Sequence, residues 1–152
     1  METLTTMNKE TIEGLKDLVK INIDSAKGYE TSAEAIEDQN LAQFFRACAA
    51  RRNEFAEQLR TKLEMSNEEA SDTSSLKATA HRWWIKAKAA LQSGDRHGVL
   101  AEAERGEDAI KACYEEVIKE TTGSPVNDLL HQQYADVKAT HDTVRDMRDR
   151  AA

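Results

Sequence analysis

The sequence predicts an all-α fold, an antiparallel bundle of long helices in a single domain over 1–152, and three features of it carry that expectation. Helix breakers are scarce, with six Gly and one Pro in 152 residues. The good helix formers Ala, Glu, Lys, Leu, Gln and Arg dominate, while the β-branched and aromatic clusters that mark strands are missing. Apolar residues recur at spacings of 3 and 4 over long stretches, which places them on one face of a helix. A chain of this length buries roughly 70% of its unfolded surface, so a core forms without help from a disulfide or a metal.

The first helix is expected over about 4–36. Ile12, Leu15, Val19, Asn22, Ala26, Tyr29, Ala33 and Ile36 keep a heptad, with Asn22 as its polar interruption. Asp38-Gln39-Asn40 breaks the pattern and turns the chain back. The second helix follows over about 41–65, with Leu41, Phe45, Cys48, Arg52, Phe55, Leu59 and Lys62 in one stripe, widened by Phe44 and Leu63. The polar, acidic run SNEEASDTSS over 66–75 is a connecting loop.

A shorter third helix is expected over about 75–92, capped by Ser74 or Ser75 and carrying Leu76, Ala80, Trp83, Ala87 and Leu91 on one face, with Trp84 beside them. Ser93-Gly94 ends it. Its length does not match its neighbours, so it reads as a crossover lying along the bundle. Trp83 and Trp84 then fasten it by apolar burial, or else form an exposed patch for a protein partner. Asp95 caps the fourth helix, over about 96–120, whose stripe is Val99, Ala103, Gly106, Ile110, Cys113 and Val117. Gly123 stops it. Ser124-Pro125 signals a last helix over about 125–150, with Val126, Leu130, Gln133, Val137, Thr140, Val144 and Met147 in register.

Charge and cysteine usage narrow the function classes. Lys and Arg number 21 against 28 Asp and Glu, a net charge of −7. That balance argues against nucleic acid as a partner, since phosphate binding needs a dense positive field. Arg145, Arg148 and Arg150 are interleaved with acids and form a solvated helix face. The N-terminal METLTTMNKETIE lacks the apolar core of a secretory leader, and no apolar run nears the roughly 20 residues that cross a bilayer. A cytoplasmic protein with no membrane partner is therefore expected. Cys48 and Cys113 share no CxxC spacing and fall on apolar faces, so buried free thiols are the preferred reading.

Several segments together resemble a known family: Gly28-Tyr29-Glu30, Arg52-Asn53-Glu54-Phe55, His81-Arg82-Trp83, Glu104-Arg105-Gly106-Glu107-Asp108, Tyr114, and Ala139-Thr140-His141-Asp142-Thr143-Val144-Arg145. The family is an uncharacterised bacterial one of small four-helix bundles assigned to the ferritin-like superfamily, and the resemblance runs roughly from Met7 to Asp149. It implies an up-down-down-up bundle with a long crossover between the second and third bundle helices. It supplies no known activity.

Ferritin-like metal proteins place a Glu on each of two helices and a Glu-x-x-His pair on each of the other two. By ideal helix rise, Glu30, Glu54, Glu107 and His141 fall within about one turn of a common level. They are the candidate metal ligands, for iron or another divalent metal. The departures favour a different occupant. Gln58 and Lys138 stand where Glu-x-x-His would need other residues, and Arg51 and Arg52 share the level. A guanidinium there can neutralise Glu30 or Glu107 as a metal would. The preferred reading is a salt-bridged polar layer that fixes helix register. Glu34, Glu57, Glu102 and Glu104 are expected to face water.

The chain contains no glycine-rich phosphate loop, no HExxH, no GxSxG and no zinc-type Cys/His spacing. His81, His97 and His131 are isolated. No catalytic set emerges, so the expected function is that of a non-enzymatic structural or interaction protein that could self-associate. The alternative is a ferritin-like metal-binding or oxidative-stress protein. A carrier of a small or fatty ligand in the bundle core is a third class, supported only by the small Ala and Gly core residues.

Overall fold

A computed structural model describes residues 2–70, 85–86, 89–90 and 92–151. Among them there are four long helices and no strand: α1 (Lys9–Ala35), α2 (Gln39–Met65), α3 (Arg96–Glu120) and α4 (Asn127–Ala151). None is long and apolar enough to cross a membrane. The expected crossover helix falls on residues whose key side chains, Leu76, Ala80, Trp83, Trp84, Ala87 and Leu91, lie outside the described residues.

Capping chemistry sets the helix boundaries. α1 starts at Lys9 rather than near Leu4, because the Asn8 side chain accepts from the Thr11 N–H and closes the first turn there. Asp38 does the same for α2 by accepting from the Asn40 and Leu41 N–H groups, so the break lies at 36–38 and the helix starts two residues earlier than expected. At the far end of α2, Asn67 takes a left-handed φ of 58°, and the Glu68 N–H reaches back to the Leu63 carbonyl. Asp95 caps α3 through the Gly98 N–H, and Gly94 and Gly123 adopt φ of 72° and 86° as the sequence requires. α4 starts at Asn127, not Pro125. The Asn127 amide donates back to the Ile118 and Thr121 carbonyls, and the backbone over 124–126 turns to allow it.

Neighbour contacts fix the directions. Ile36 and Leu41 share a core cluster across the first turn, and α1 returns as α2. α1 also runs opposite to α3, with Gly14 against Val117 and Asn22 bonded to Tyr114. An Arg96–Asp38 pair at 2.5 Å places the starts of α2 and α3 at the same end. The end of α2 and the start of α3 therefore lie at opposite ends of the bundle.

The heptad stripes face inward. Val19, Ile110 and Val137 are fully buried, and Ile12 is partly buried. The core divides into two apolar clusters. One holds Leu15, Val19, Phe55, Leu59, Tyr114 and Leu130. The other holds Ala26, Tyr29, Phe45, Leu100 and Val144, with the Tyr29 and Phe45 rings edge to face at 5.0 Å. Buried polar side chains lie between and beside them: Asn22, Arg52, Glu107 and Gln133.

Candidate functional site

Arg52 belongs to the apolar stripe of α2, three residues from Ala49 and Phe55 and so on their face. Glu107 lies on α3 between Ala103 and Ile110, both fully or nearly fully buried. Side-by-side packing then leaves each with the other as its partner. Arg52 Nη2 donates to Glu107 Oε1 at 2.6 Å, and Nη1 donates to Oε2 at 2.8 Å. Both side chains are 1% exposed. Nη1 also donates to Ser25 Oγ on α1 at 3.0 Å, and the guanidinium carbon sits 6.0 Å from the Tyr29 ring centre. This forked geometry is the strong form of an ion pair, and burial makes it one that cannot lose a partner cheaply.

The pair sets the protonation of its surroundings. Burial works to lower the guanidinium's proton affinity, but the Glu107 charge and hydrogen bonds outweigh it and hold Arg52 above its ordinary value. Burial, then the Glu107 charge, raise the Tyr29 phenol well above its usual range. The same two causes push the Cys48 thiol to about 12, against the pull of Arg52 and Arg51.

A second polar chain crosses all four helices beside this pair. Asn22 Nδ2 donates to the Leu18 carbonyl at 2.8 Å and to the Tyr114 hydroxyl at 2.9 Å. That hydroxyl donates to Gln133 Oε1 at 2.7 Å. Gln133 Nε2 then donates to Gln58 Oε1 at 2.9 Å and to the Phe55 carbonyl at 3.4 Å. Asn22 Oδ1 is buried without a hydrogen-bond partner among the described residues.

The four candidate metal ligands share a level but not a face, and the structure does not bring them together. Glu30 is exposed and accepts from Asn53 Nδ2 at 3.1 Å. Glu54 is exposed. Glu107 has both oxygens on Arg52. His141 lies at the bundle edge, with Nε2 2.6 Å from Asp108 Oδ1 and Nδ1 3.1 Å from Asp142 Oδ1. The physical reason is rotation: Tyr29 and Thr140 point inward, so Glu30 and His141, one residue on, are turned about 100° away. Among the described residues no group of three or more His, Cys, Asp or Glu side chains is placed to hold a metal ion. As a di-metal set these residues do not fit.

Other expectations resolve at the same level. Arg52 fills the centre, whereas Arg51 is half-exposed and pairs with Asp136 at 2.8 Å. Glu102 does not face water: it is 9% exposed and bridged to Arg105. Glu104 is largely covered and pairs with Arg148. Leu18, Leu100 and Tyr114 were missing from the single stripes. Tyr114 is four residues after Ile110 and three before Val117, so a wider stripe would have found it.

Comparison with known proteins adds a family. A family model described as "Domain of unknown function (DUF2383)" matches residues 10–120, which include Asn22, Arg52, Glu107 and Tyr114 but not α4. No curated protein and no solved structure matches the chain.

Proposed function

This chain belongs to the DUF2383 family, a domain of unknown function, and on that premise we propose that it is a non-enzymatic structural or interaction protein on a ferritin-like bundle. The observation that carries the reading is the forked Arg52–Glu107 pair. In a ferritin-like metal centre inward carboxylates converge on cations. Here the inward carboxylate has both oxygens on a guanidinium from the facing helix. The ferritin-like assignment draws support from the common end shared by the starts of α2 and α3, which calls for a long crossover. In this reading the interior keeps the helices aligned and the outer surfaces bind. A bacterial setting is proposed, on the sequence resemblance alone.

The test uses tag-free protein titrated with ferrous iron, zinc and manganese, with bound metal and melting temperature measured. The expected outcome is no stoichiometric metal and no thermal shift. Stoichiometric binding that disappears in a His141→Ala variant would overturn the proposal in favour of a metal-binding protein using Glu30, Glu54, Glu107 and His141. Light scattering reads whether the partner is a second copy; a clean monomer removes self-association.

A further inference from the structure

A groove of about 560 Å³ runs between α1 and α3. Its floor is apolar, built from Ile21, Ala103, Ala109, Ile110 and Cys113. At one end it runs into a smaller hollow that shares Asp17, Cys113 and Glu116 with it and adds Glu10, Glu13 and Glu120; no basic side chain lines that hollow among the described residues. Asp24, Glu102, Glu107, Lys86 and Arg105 line the rest of the main groove, where Glu107 is paired with Arg52 and Glu102 with Arg105. Charge is therefore unevenly placed, with an oily trough in the middle and an acidic end.

The acidic end brings like charges together, with Lys9 paired to Glu13 and Lys20 acting on Asp17 as the nearby cations. Asp17 holds its proton more tightly than an ordinary Asp because of partial burial and the like charges of Glu13 and Glu116, with Lys20 opposing them. Cys113 is pushed to about 12 by burial and by the charges of Asp17, Glu116 and Glu120. The size decides the kind of occupant. Pockets for small ligands span roughly 300–1,000 Å³ and are mostly apolar with a few placed polar groups.

We propose that the groove binds a small amphipathic cation, an alkylammonium compound whose hydrocarbon lies over Ile21, Ala109 and Cys113 while its ammonium sits between Asp17 and Glu116. This goes beyond the structural role above and does not depend on it. The test is calorimetric titration of the full chain with n-octylammonium, n-octanoate and n-octanol, all below their aggregation limits. Octylammonium is expected to saturate at one per chain and to bind at least about tenfold more tightly than the other two. Affinity falls by about tenfold or more in Asp17→Lys/Glu116→Lys, whose sites are exposed, and also in Ala109→Phe, which fills the floor. Circular dichroism checks that each variant folds. Absent saturation, equal binding of all three probes, or unchanged affinity in the charge-reversed variant each overturns the proposal. A dimer that the charge reversal dissociates, with no amine bound, assigns the groove to a second copy and also overturns it.

Discussion

Removing one half of the central ion pair should cost more than removing both halves. Arg52 is 1% exposed and makes three hydrogen bonds, of which Glu107→Ala leaves one, to Ser25 Oγ. A buried charge stripped of its partner costs about 3–5 kcal/mol. For a domain of this size each kcal/mol moves the melting temperature by about 2–4 °C, so the variant should melt about 6–20 °C lower. Replacing both residues, as Arg52→Met with Glu107→Leu, removes the desolvated charges along with the attraction. That double variant should lie within about 1 kcal/mol of the parent or exceed it by up to about 4 kcal/mol. Urea unfolding followed by far-ultraviolet circular dichroism measures all three proteins. A Glu107→Ala cost under about 1 kcal/mol, the worth of an exposed pair, would refute the reasoning. So would a double variant no more stable than the single one.

Two further outcomes follow from packing and titration. A Cβ at Gly14 would lie 2.8 Å from Val117 Cγ1, a stiff β-branched neighbour. Gly14→Ala should therefore destabilise by overpacking despite a helix-propensity gain of about 1 kcal/mol. In a Val117→Ala background, where the clash is gone, the same change should stabilise by about that amount; a loss in both backgrounds, by thermal melts, counts against the close approach of α1 and α3. Cys48 and Cys113 are both pushed to about 12 in the folded state, against about 8.5 for a free thiol. Raised values mean that their contribution to stability is whole below about pH 8.5 and is lost as pH climbs toward 12. The melting temperature should fall between pH 8 and 11, less so in Cys113→Ala, and native thiols should react slowly with a disulfide reagent at pH 8. Rapid labelling would contradict the burial described for Cys48.

What the sequence disclosed, and what it did not, follows from helix geometry. Spacing of 3 and 4 marks an inward face, which is why Val19, Arg52, Gln133 and Val137 were all found on stripes and are all buried. Arg52 was the informative member, a cation in an oily row. Counting from the turns gave depth along the bundle, and Glu107 does lie level with Arg52. Depth alone does not give the side a residue faces, and Glu30 and Glu54 share the level while facing water. Level alone left Arg51 and Arg52 both open as the partner of Glu107, although only Arg52 lies on the inward stripe of α2. The wider rows with Leu18, Leu100 and Tyr114 were lost because a single heptad stripe is narrower than the face a globular bundle buries.

The polar chain has a consequence for how this molecule comes apart. Tyr114 and Gln133 are 19 positions apart and sit within one helical hairpin, whereas Asn22 and Tyr114 are 92 apart and join the two hairpins. Closing a contact across 92 positions costs more loop entropy than closing one across 19, so the joint between hairpins is the harder of the two to form. What that joint exposes on opening includes Asn22, Arg52, Glu107 and Gln133, groups that water solvates well. A chain caught with its halves parted thus shows solvent a seam interrupted by hydrophilic groups, less adhesive to other chains than an unbroken oily one.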